Sequence, residues 1–263
     1  MMLKKFCSLF SLAGIFFASC STTKDAVAEE TKILSAAEQE KLLNNRYASG
    51  FLTDATFDSY CSILYAFEDI AIHTNSLGIN NTELANVFPP GYKPTLKEIF
   101  DTIAYQTNAQ WNYDTSTGYW LFTEAENNIP FSIKIAPGWQ MQHRGVYVWF
   151  APENANMGMD IYILGHYSTE DKDLLNKMRN MWAERMASGF DPNISVNDMK
   201  LVDINGNEAV YYEHDVRNEG TWRQWFLMID SNLYGIVSAL KNEDEQQLYK
   251  DVLQVINSLE STK

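Results

Sequence analysis

Residues 222–229 read Trp-Arg-Gln-Trp-Phe-Leu-Met-Ile, and this stretch decides the fold. In an extended strand, successive side chains point to opposite faces. One face then carries Trp222, Phe226 and Met228. The other face carries Trp225, Leu227 and Ile229. Because a strand that is apolar on both faces must be covered on both, the stretch predicts a central strand of a sheet that has helices on either side.

Further strands are expected on both sides of this stretch. Lys200–Ile204 and Glu208–Val216 are joined by Asn205-Gly206, a pair that suits a type I′ turn because both central residues need positive φ. The remaining predicted strands are Phe131–Ile135, which ends at Pro137-Gly138-Trp139, and then 146–150, 159–164 and 234–240. Together they indicate an antiparallel sheet.

Two helices are predicted within this second half of the chain. One opens at 168–171, has apolar side chains every three or four residues from Leu174 to Met186, and ends close to Gly189. The other is capped by 242–245 and carries one apolar stripe, formed by Leu248, Val252, Val255 and Leu259. These helices are the candidates for covering the sheet.

The first half of the mature chain is predicted to be mainly helical, with a small hairpin at its end. Capping boxes begin helices at Ser35 and Thr95, each with Glu three residues later. A single apolar stripe is expected between them, formed by Tyr60, Ile63, Leu64, Phe67, Ile70 and Ala71. Residues 111–113 and 119–122 predict the two strands of the hairpin.

The order of elements in the second half resembles the PsbP-like superfamily, which includes the extrinsic photosystem II subunit, the Ran-binding Mog protein and many bacterial lipoproteins. The resemblance covers residues 129–260 and is carried by 131–139, by 204–210 (Ile-Asn-Gly-Asn-Glu-Ala-Val) and by 255–259 (Val-Ile-Asn-Ser-Leu). It implies an α+β fold with a central antiparallel sheet and helices on both faces. Members mostly bind proteins or aid assembly, and no catalytic centre, cofactor or metal ligand is implied at matching positions.

A second resemblance covers residues 95–122. This stretch is similar to the second half of the short N-terminal domain of secretins and TonB-dependent receptors, in which a helix that begins with Thr-Leu leads into a hairpin. The resulting domain division is a signal peptide at 1–19, a lipidated tether at 20–34, a mainly helical domain at 35–126 and a PsbP-like α/β domain at 127–263.

The amino terminus predicts export and lipidation. Lys4 and Lys5 precede the apolar stretch 6–17, which is the layout of a secretory signal and is shorter than the ~20 residues that a helix needs to span a bilayer. Residues 17–20, Phe-Ala-Ser-Cys, resemble the bacterial lipobox, although Phe17 replaces the usual Leu. The resemblance implies that Cys20 carries the lipid and that Ser21 directs the protein to the outer membrane, facing the periplasm or the cell surface.

The charge of the chain argues against several partners. Its formal net charge is −14. Removal of residues 1–19 would take away Lys4 and Lys5 and no acid, which gives −14 − 2 = −16. Such a chain is repelled by nucleic acid and by anionic headgroups. The expected partners are therefore a lipid anchor in the membrane and another envelope protein.

No catalytic or metal-binding motif is present in the sequence. Cys61 falls in a helical pattern and is interpreted as a buried apolar residue. The four histidines are His73 at a helix end, His143 in a loop, and His166 and His214 on strands, where the last two could converge on a metal or could be ordinary sheet residues. The carboxylates Glu208, Glu213, Asp215 and Glu219 form either an acid/base pair or a solvated face.

Tryptophans are the remaining candidates for a functional surface. Trp182 and Trp225 are expected in the core, whereas Trp139, Trp149 and Trp222 could form a binding surface. The sequence therefore predicts a membrane-anchored, non-catalytic module for protein binding or envelope assembly. Glycan or small-ligand binding through the aromatic side chains, and hydrolysis, are the alternatives.

Overall fold

A computed structural model of the chain describes residues 32–47, 55–125, 131–144, 147–153, 158–167, 171, 173–189, 191–216, 220–240 and 245–262. The predicted signal peptide and lipidation site, residues 1–20, lie outside these ranges, as do Glu219 and most of the predicted caps at 168–171 and 242–245.

The fold is α+β. The helices within the described ranges are α1 (Ala36–Leu43), α2 (Phe57–Glu68), α3 (Leu77–Asn80), α4 (Leu96–Thr107), α5 (Leu174–Gly189) and α6 (Glu245–Asn257). The first strands are β1 (Ala55–Thr56), β2 (Ile72–His73), β3 (Glu83–Leu84), β4 (Ala109–Asp114), β5 (Tyr119–Glu124), β6 (Phe131–Ser132) and β7 (Trp139–Arg144). The later strands are β8 (Tyr147–Pro152), β9 (Met159–His166), β10 (Lys200–Ile204), β11 (Asn207–Val216), β12 (Gly220–Ile229), β13 (Asn232–Leu240) and β14 (Glu260–Ser261).

Seven of these strands form one antiparallel sheet in the order β10-β11-β12-β13-β9-β8-β7. The predicted hairpin between β10 and β11 is confirmed, since Asn205 and Gly206 both have positive φ, of 53° and 83°. The β12–β13 hairpin turns in the same way through Asp230 and Ser231, neither of which is glycine. Asp and Ser are common in turns, but this pair is a less specific turn signal than Asn-Gly.

Both faces of the sheet are covered, as residues 222–229 predicted. On one face Phe226 stacks on Trp182 of α5, with ring centroids 4.4 Å apart. On the other face Trp225 lies in a core that includes Val252 and Val255 of α6. The alternation of β12 therefore separates two cores, and we call these the α5 face and the α6 face.

Helix α4 joins the first half of the chain to the α5 face. The Thr102 hydroxyl accepts a hydrogen bond from the backbone N–H of His166 at 3.2 Å, and Gln106 Nε2 donates to the Leu164 carbonyl at 3.1 Å. Gly165 permits this approach, since a Cβ there would lie 3.2 Å from Thr102 Oγ1 and 2.8 Å from a methyl carbon of Val87. One buried cluster consequently contains residues from both halves of the chain.

The first half contains more strand than expected. Strands β2, β5 and β4 form a three-stranded sheet in which β2 runs parallel to β5. The predicted stripe from Tyr60 to Ala71 is only partly correct, because α2 ends at Glu68 and Asp69 adopts a left-handed conformation with φ 55°. Phe67, expected in the stripe, is 77% exposed. The chain turns away from the helix before the apolar pattern ends.

The stretch 131–139 also departs from its expected form. Only Phe131–Ser132 pairs as a strand, and its partner is β14 at the end of the chain, not a strand of the large sheet. Gly138, with φ 76°, turns the chain so that Trp139 begins β7 instead of ending the preceding strand.

Within the described ranges, no helix is long and apolar enough to cross a bilayer.

Candidate binding face

The α5 face is covered unevenly. Helix α4 lies against β9 near His166, and α5 lies over Phe226. Toward the other end of the sheet, Trp149, Asp160, Val237 and Gln224 are aligned across four strands and point to this same face. All but Gln224 are only half-buried. This part of the face is therefore the candidate binding surface.

Its first part is the Trp149 cluster, which we define as Arg144, Tyr147, Trp149, Asp160 and Tyr162 on strands β7, β8 and β9. Tyr147 pairs with Tyr162 and Trp149 with Asp160 across the β8–β9 ladder. The Arg144 guanidinium carbon lies 4.2 Å from the centroid of the Trp149 ring, a cation–π distance. The arrangement presents aromatic rings, one cation and one carboxylate beside the edge strand β7.

The surroundings of Asp160 shift the pKa of its carboxyl group strongly. Burial raises its pKa to about 6, and the nearby Arg144 partly opposes that shift. Its Oδ1 atom is shielded from solvent and has no hydrogen-bond partner among the described residues. Such a carboxylate is incompletely satisfied, and a donor or cation from a binding partner would stabilise it.

Replacement of Asp160 by Asn is expected to stabilise the protein at pH 7.5 by about 1 kcal/mol, after discounting for partial exposure. The pKa of Asp160 is raised from 3.8 to about 6 on folding, so its charged form is penalised above pH 6 and the penalty fades as the pH falls toward 4. Urea denaturation at pH 7.5 and at pH 4 measures this. The exposed Glu208→Gln variant is the control, and an Asp160→Asn variant that is less stable than wild type at pH 7.5 contradicts the prediction.

Tyr162 forms the floor of the cluster. It pairs with Gly235 on β13, and a Cβ at Gly235 would lie 2.6 Å from the Tyr162 ring. The absence of a side chain at Gly235 therefore leaves room for the Tyr162 ring, which lies on the same face of β9 as Asp160.

The second part is the Trp222 pocket, between α5 and strands β11, β12 and β13. It has a volume of about 20 Å³, and its described lining consists of Met186, Tyr212, His214, Trp222, Arg223, Gln224 and Val237. The Arg223 guanidinium is not part of it, because it lies on the α6 face, 4.3 Å from the centroid of the Tyr249 ring. Gln224 is 7% exposed.

Of the three candidate tryptophans, Trp149 and Trp222 lie on the α5 face, whereas Trp139 lies on the α6 face and is not part of the candidate binding surface. Trp139 is 8% exposed, and its Nε1 donates to Asp251 Oδ2 of α6 at 3.2 Å. The expectation that it stays near the surface is therefore corrected: it belongs to the core of the α6 face. Trp182 and Trp225 are buried, as expected.

The histidines are not brought together. His166 Nδ1 lies 3.0 Å from Asn232 Oδ1 at one end of the sheet, whereas His214 pairs with Trp222 near the other end. His73 is on strand β2 and His143 on strand β7, not at a helix end or in a loop. Among the described residues, no three His, Cys, Asp or Glu side chains are placed to hold a metal ion.

Glu208, Glu213 and Asp215 are all exposed on β11, and the last two are hydrogen-bonded to neighbouring residues. Glu213 accepts a hydrogen bond from the Tyr211 hydroxyl at 2.6 Å, and Asp215 accepts one from the Thr221 hydroxyl at 2.9 Å. Both alternate with His214 along the strand and so point to the opposite face. Cys61 is half-buried, and burial raises the pKa of its thiol to about 12, which disfavours the reactive thiolate at neutral pH.

Sequence reasoning did not single out Arg144, Asp160 or Gln224. Asp160 and Gln224 are polar residues inside otherwise apolar strands, and this interruption was the available signal. Which face they share with Trp149 became clear only from the register across β8, β9, β13 and β12.

No family model and no curated protein matches the sequence. A solved structure from Bacteroides thetaiotaomicron is 16% identical over 51% of this chain, with a TM-score of 0.35, and the match spans only 46% of that protein. LpqN, which is involved in cell envelope biogenesis in Mycobacterium tuberculosis, is 12% identical over 52% of this chain and 88% of its own, with a TM-score of 0.37. Cyanobacterial PsbP from Synechocystis is 14% identical over 58% and 92%, with a TM-score of 0.31. The function proposed for this chain depends on its own residues.

Proposed function

We propose that this chain is a lipid-anchored, non-catalytic protein of the bacterial envelope that docks another envelope protein on its Trp149 cluster. The anchor is Cys20, the lipobox cysteine, which follows a positively charged and apolar leader. With a formal net charge of −14, the protein would be repelled by anionic headgroups, so a covalent lipid would hold it at the membrane.

The composition of the Trp149 cluster carries the proposal. Trp, Tyr and Arg are the residue types that dominate protein–protein binding energy, and here they adjoin one another on a half-covered sheet face. Arg144 already stacks on Trp149, so little side-chain freedom is lost when a partner binds.

Charge complementarity indicates the kind of partner. The unpaired Oδ1 of Asp160 needs a donor, and the acidic chain as a whole attracts basic surfaces. We therefore expect the partner to insert a Lys or Arg side chain between the aromatic rings and Asp160. A partner protein with a basic patch fits this surface.

Photo-cross-linking in intact cells tests the docking surface. A photoreactive amino acid at the exposed Gln142, which pairs with Trp149 across the β7–β8 ladder, should yield one dominant cross-linked protein. The matched position is Gln254, which is exposed on α6 and therefore lies on the opposite side of the sheet. It should yield no such product.

Trp149→Ala is expected to reduce this cross-link about tenfold or more, because truncation of a central aromatic anchor costs at least 1.4 kcal/mol of binding. Equal cross-linking at both positions, or no effect of Trp149→Ala and Arg144→Ala, contradicts docking at the cluster. The anchor is tested separately: labelled palmitate should be incorporated into the wild-type protein and not into Cys20→Ser. If the wild-type protein does not incorporate labelled palmitate, lipidation at Cys20 is contradicted.

A further inference from the structure

We propose that the outer edge of strand β7 receives a β-strand from the docked protein, so that the partner extends the seven-stranded sheet. This inference rests on the proposed function, since it concerns how the partner of the Trp149 cluster is held. Strand β7 is the last strand on its side of the sheet, and its residue Gln142 pairs with Trp149. The edge and the half-covered face therefore form one continuous surface.

The ladder between β7 and β8 fixes which backbone groups of β7 point outward. In an antiparallel pair, hydrogen-bonded and non-hydrogen-bonded residue pairs alternate. The Glu153 N–H donates to the Gly138 carbonyl at 2.9 Å, so Gln142, four residues farther along, is also a residue that bonds to β8. Met141 and His143 flank Gln142 and consequently direct their backbone N–H and C=O groups away from β8.

These outward groups have no partner in the described part of the chain. Strand β7 has a neighbouring strand on one side only, and the backbone of neither Met141 nor His143 makes a hydrogen bond beyond the ladder. An antiparallel strand laid against this edge would form about four hydrogen bonds, two with each of these residues. Main-chain bonds of this kind hold extended peptides to exposed sheet edges.

The opposite edge of the sheet is protected, whereas β7 is not. Strand β10 carries Lys200 and Asp203, and charged side chains are a common way to keep other strands away from an edge. Residues 139–143 include no Lys, Arg, Asp, Glu or Pro, and they pair with β8 in an unbroken register. Met141 is 40% exposed and adds apolar surface. Strand addition is therefore favoured at β7.

Charge indicates that the strand comes from a different protein. Pairing with a second copy would bring together two chains that each carry a net charge of −14, whereas a basic partner is attracted. Met141 pairs with Phe150, which lies in the core of the α6 face, so the residue opposite Met141 in the added strand would project to that side. An apolar side chain fits there.

The added strand would not itself reach Asp160. It would lie three strand spacings from β9, which is about 14 Å at ~4.8 Å per strand. The basic side chain that meets Asp160 would therefore come from a part of the partner that lies over the α5 face. The strand supplies the backbone contacts, and the face contact supplies the charge contact.

Proline substitution on the edge, combined with the Gln142 photo-cross-link, tests the inference. Met141→Pro removes an outward N–H that β8 does not use and places a ring where the added strand would approach, a change that edge strands tolerate. We expect it to reduce the cross-linked product about tenfold or more while the protein stays folded. Met141→Ala keeps the N–H, and Leu201→Pro alters the other edge strand, β10, so both should retain most of the product.

The outcomes separate this inference from the proposed docking. If Trp149→Ala reduces the product and folded Met141→Pro does not, the partner docks on the face without adding a strand, and the inference is overturned. Equal losses in Met141→Pro and Met141→Ala also overturn it, because the contact would then be the side chain. A product that is a dimer of this chain does the same, and the absence of a dominant product at Gln142 contradicts both the docking and the added strand.

Hydrogen exchange gives a second measurement if Met141→Pro fails to fold. The backbone amides of Met141 and His143 should exchange rapidly in the free protein and slowly in the purified cross-linked product, because the added strand would accept their hydrogen bonds. Rapid exchange of both amides in the product overturns the inference.

Discussion

Replacement of Trp182 by Ala is expected to lower the free energy of unfolding by about 4 kcal/mol, the typical cost of truncating a buried tryptophan. Trp182 is 4% exposed and stacks on Phe226 with an interplanar angle of 11°. Its cluster also contains Phe100 of α4 and Tyr167 beyond β9. The truncation therefore leaves a cavity between α5 and the sheet, within the buried cluster to which both halves of the chain contribute.

Chemical denaturation, followed by far-ultraviolet circular dichroism, measures the loss. Trp149→Ala is the matched control, because its ring is only half-buried and its removal should cost about 1 kcal/mol. A loss below 1 kcal/mol for Trp182→Ala contradicts the packing of α5 on the sheet.

The same variant examines the domain division at residues 126 and 127. Because the shared cluster joins both halves, we propose that they unfold as one cooperative unit, although the sequence indicated two domains. Amide hydrogen exchange in α4 should then accelerate in Trp182→Ala. Unchanged protection of α4 would show that the first half is independently stable.

Strand alternation and turn chemistry were the parts of the fold that the sequence predicted well. Both act over a few residues: alternation assigns Phe226 and Trp225 to opposite faces, and Asn205-Gly206 selects its turn. The partner of β6 and the exposure of Phe67 were not predictable in this way. Both depend on contacts between residues far apart in the sequence.

The candidate site shows the same limit. Trp149 and Trp222 were recognisable as large aromatic residues, but the sequence could not distinguish them from Trp139, which is covered by α6. Gln224 and Asp160 matter because of the face they share and the burial they undergo. Those properties arise from the register of four strands, and no local pattern encodes that register.

The two capping boxes have the same sequence motif, but they differ in burial and therefore in how much each stabilises the protein. Glu38 and Glu98 occupy the same motif position, and both boxes form. Glu38 is exposed, whereas Glu98 is 1% exposed and accepts hydrogen bonds from the Thr95 backbone N–H at 2.6 Å and from the Tyr92 hydroxyl. Burial and the bond to Glu98 raise the pKa of Tyr92, so its hydroxyl stays a donor.

Glu98→Ala is therefore expected to lower the free energy of unfolding by about 3 kcal/mol. It leaves two buried donors, the Thr95 backbone N–H and the Tyr92 hydroxyl, without their acceptor, and it removes half of the cap. Glu38→Ala, the matched variant in the exposed box, should cost about 0.5 kcal/mol, since water replaces the lost carboxylate. Urea denaturation of both variants gives the comparison, and adding Tyr92→Phe to Glu98→Ala should restore about 1 kcal/mol by removing one stranded donor. Equal costs for the two Glu→Ala variants would mean that the Thr95 box is as accessible to water as the Ser35 box. The position of α4 between the first half of the chain and the sheet would then be wrong, because it is this packing that buries Glu98.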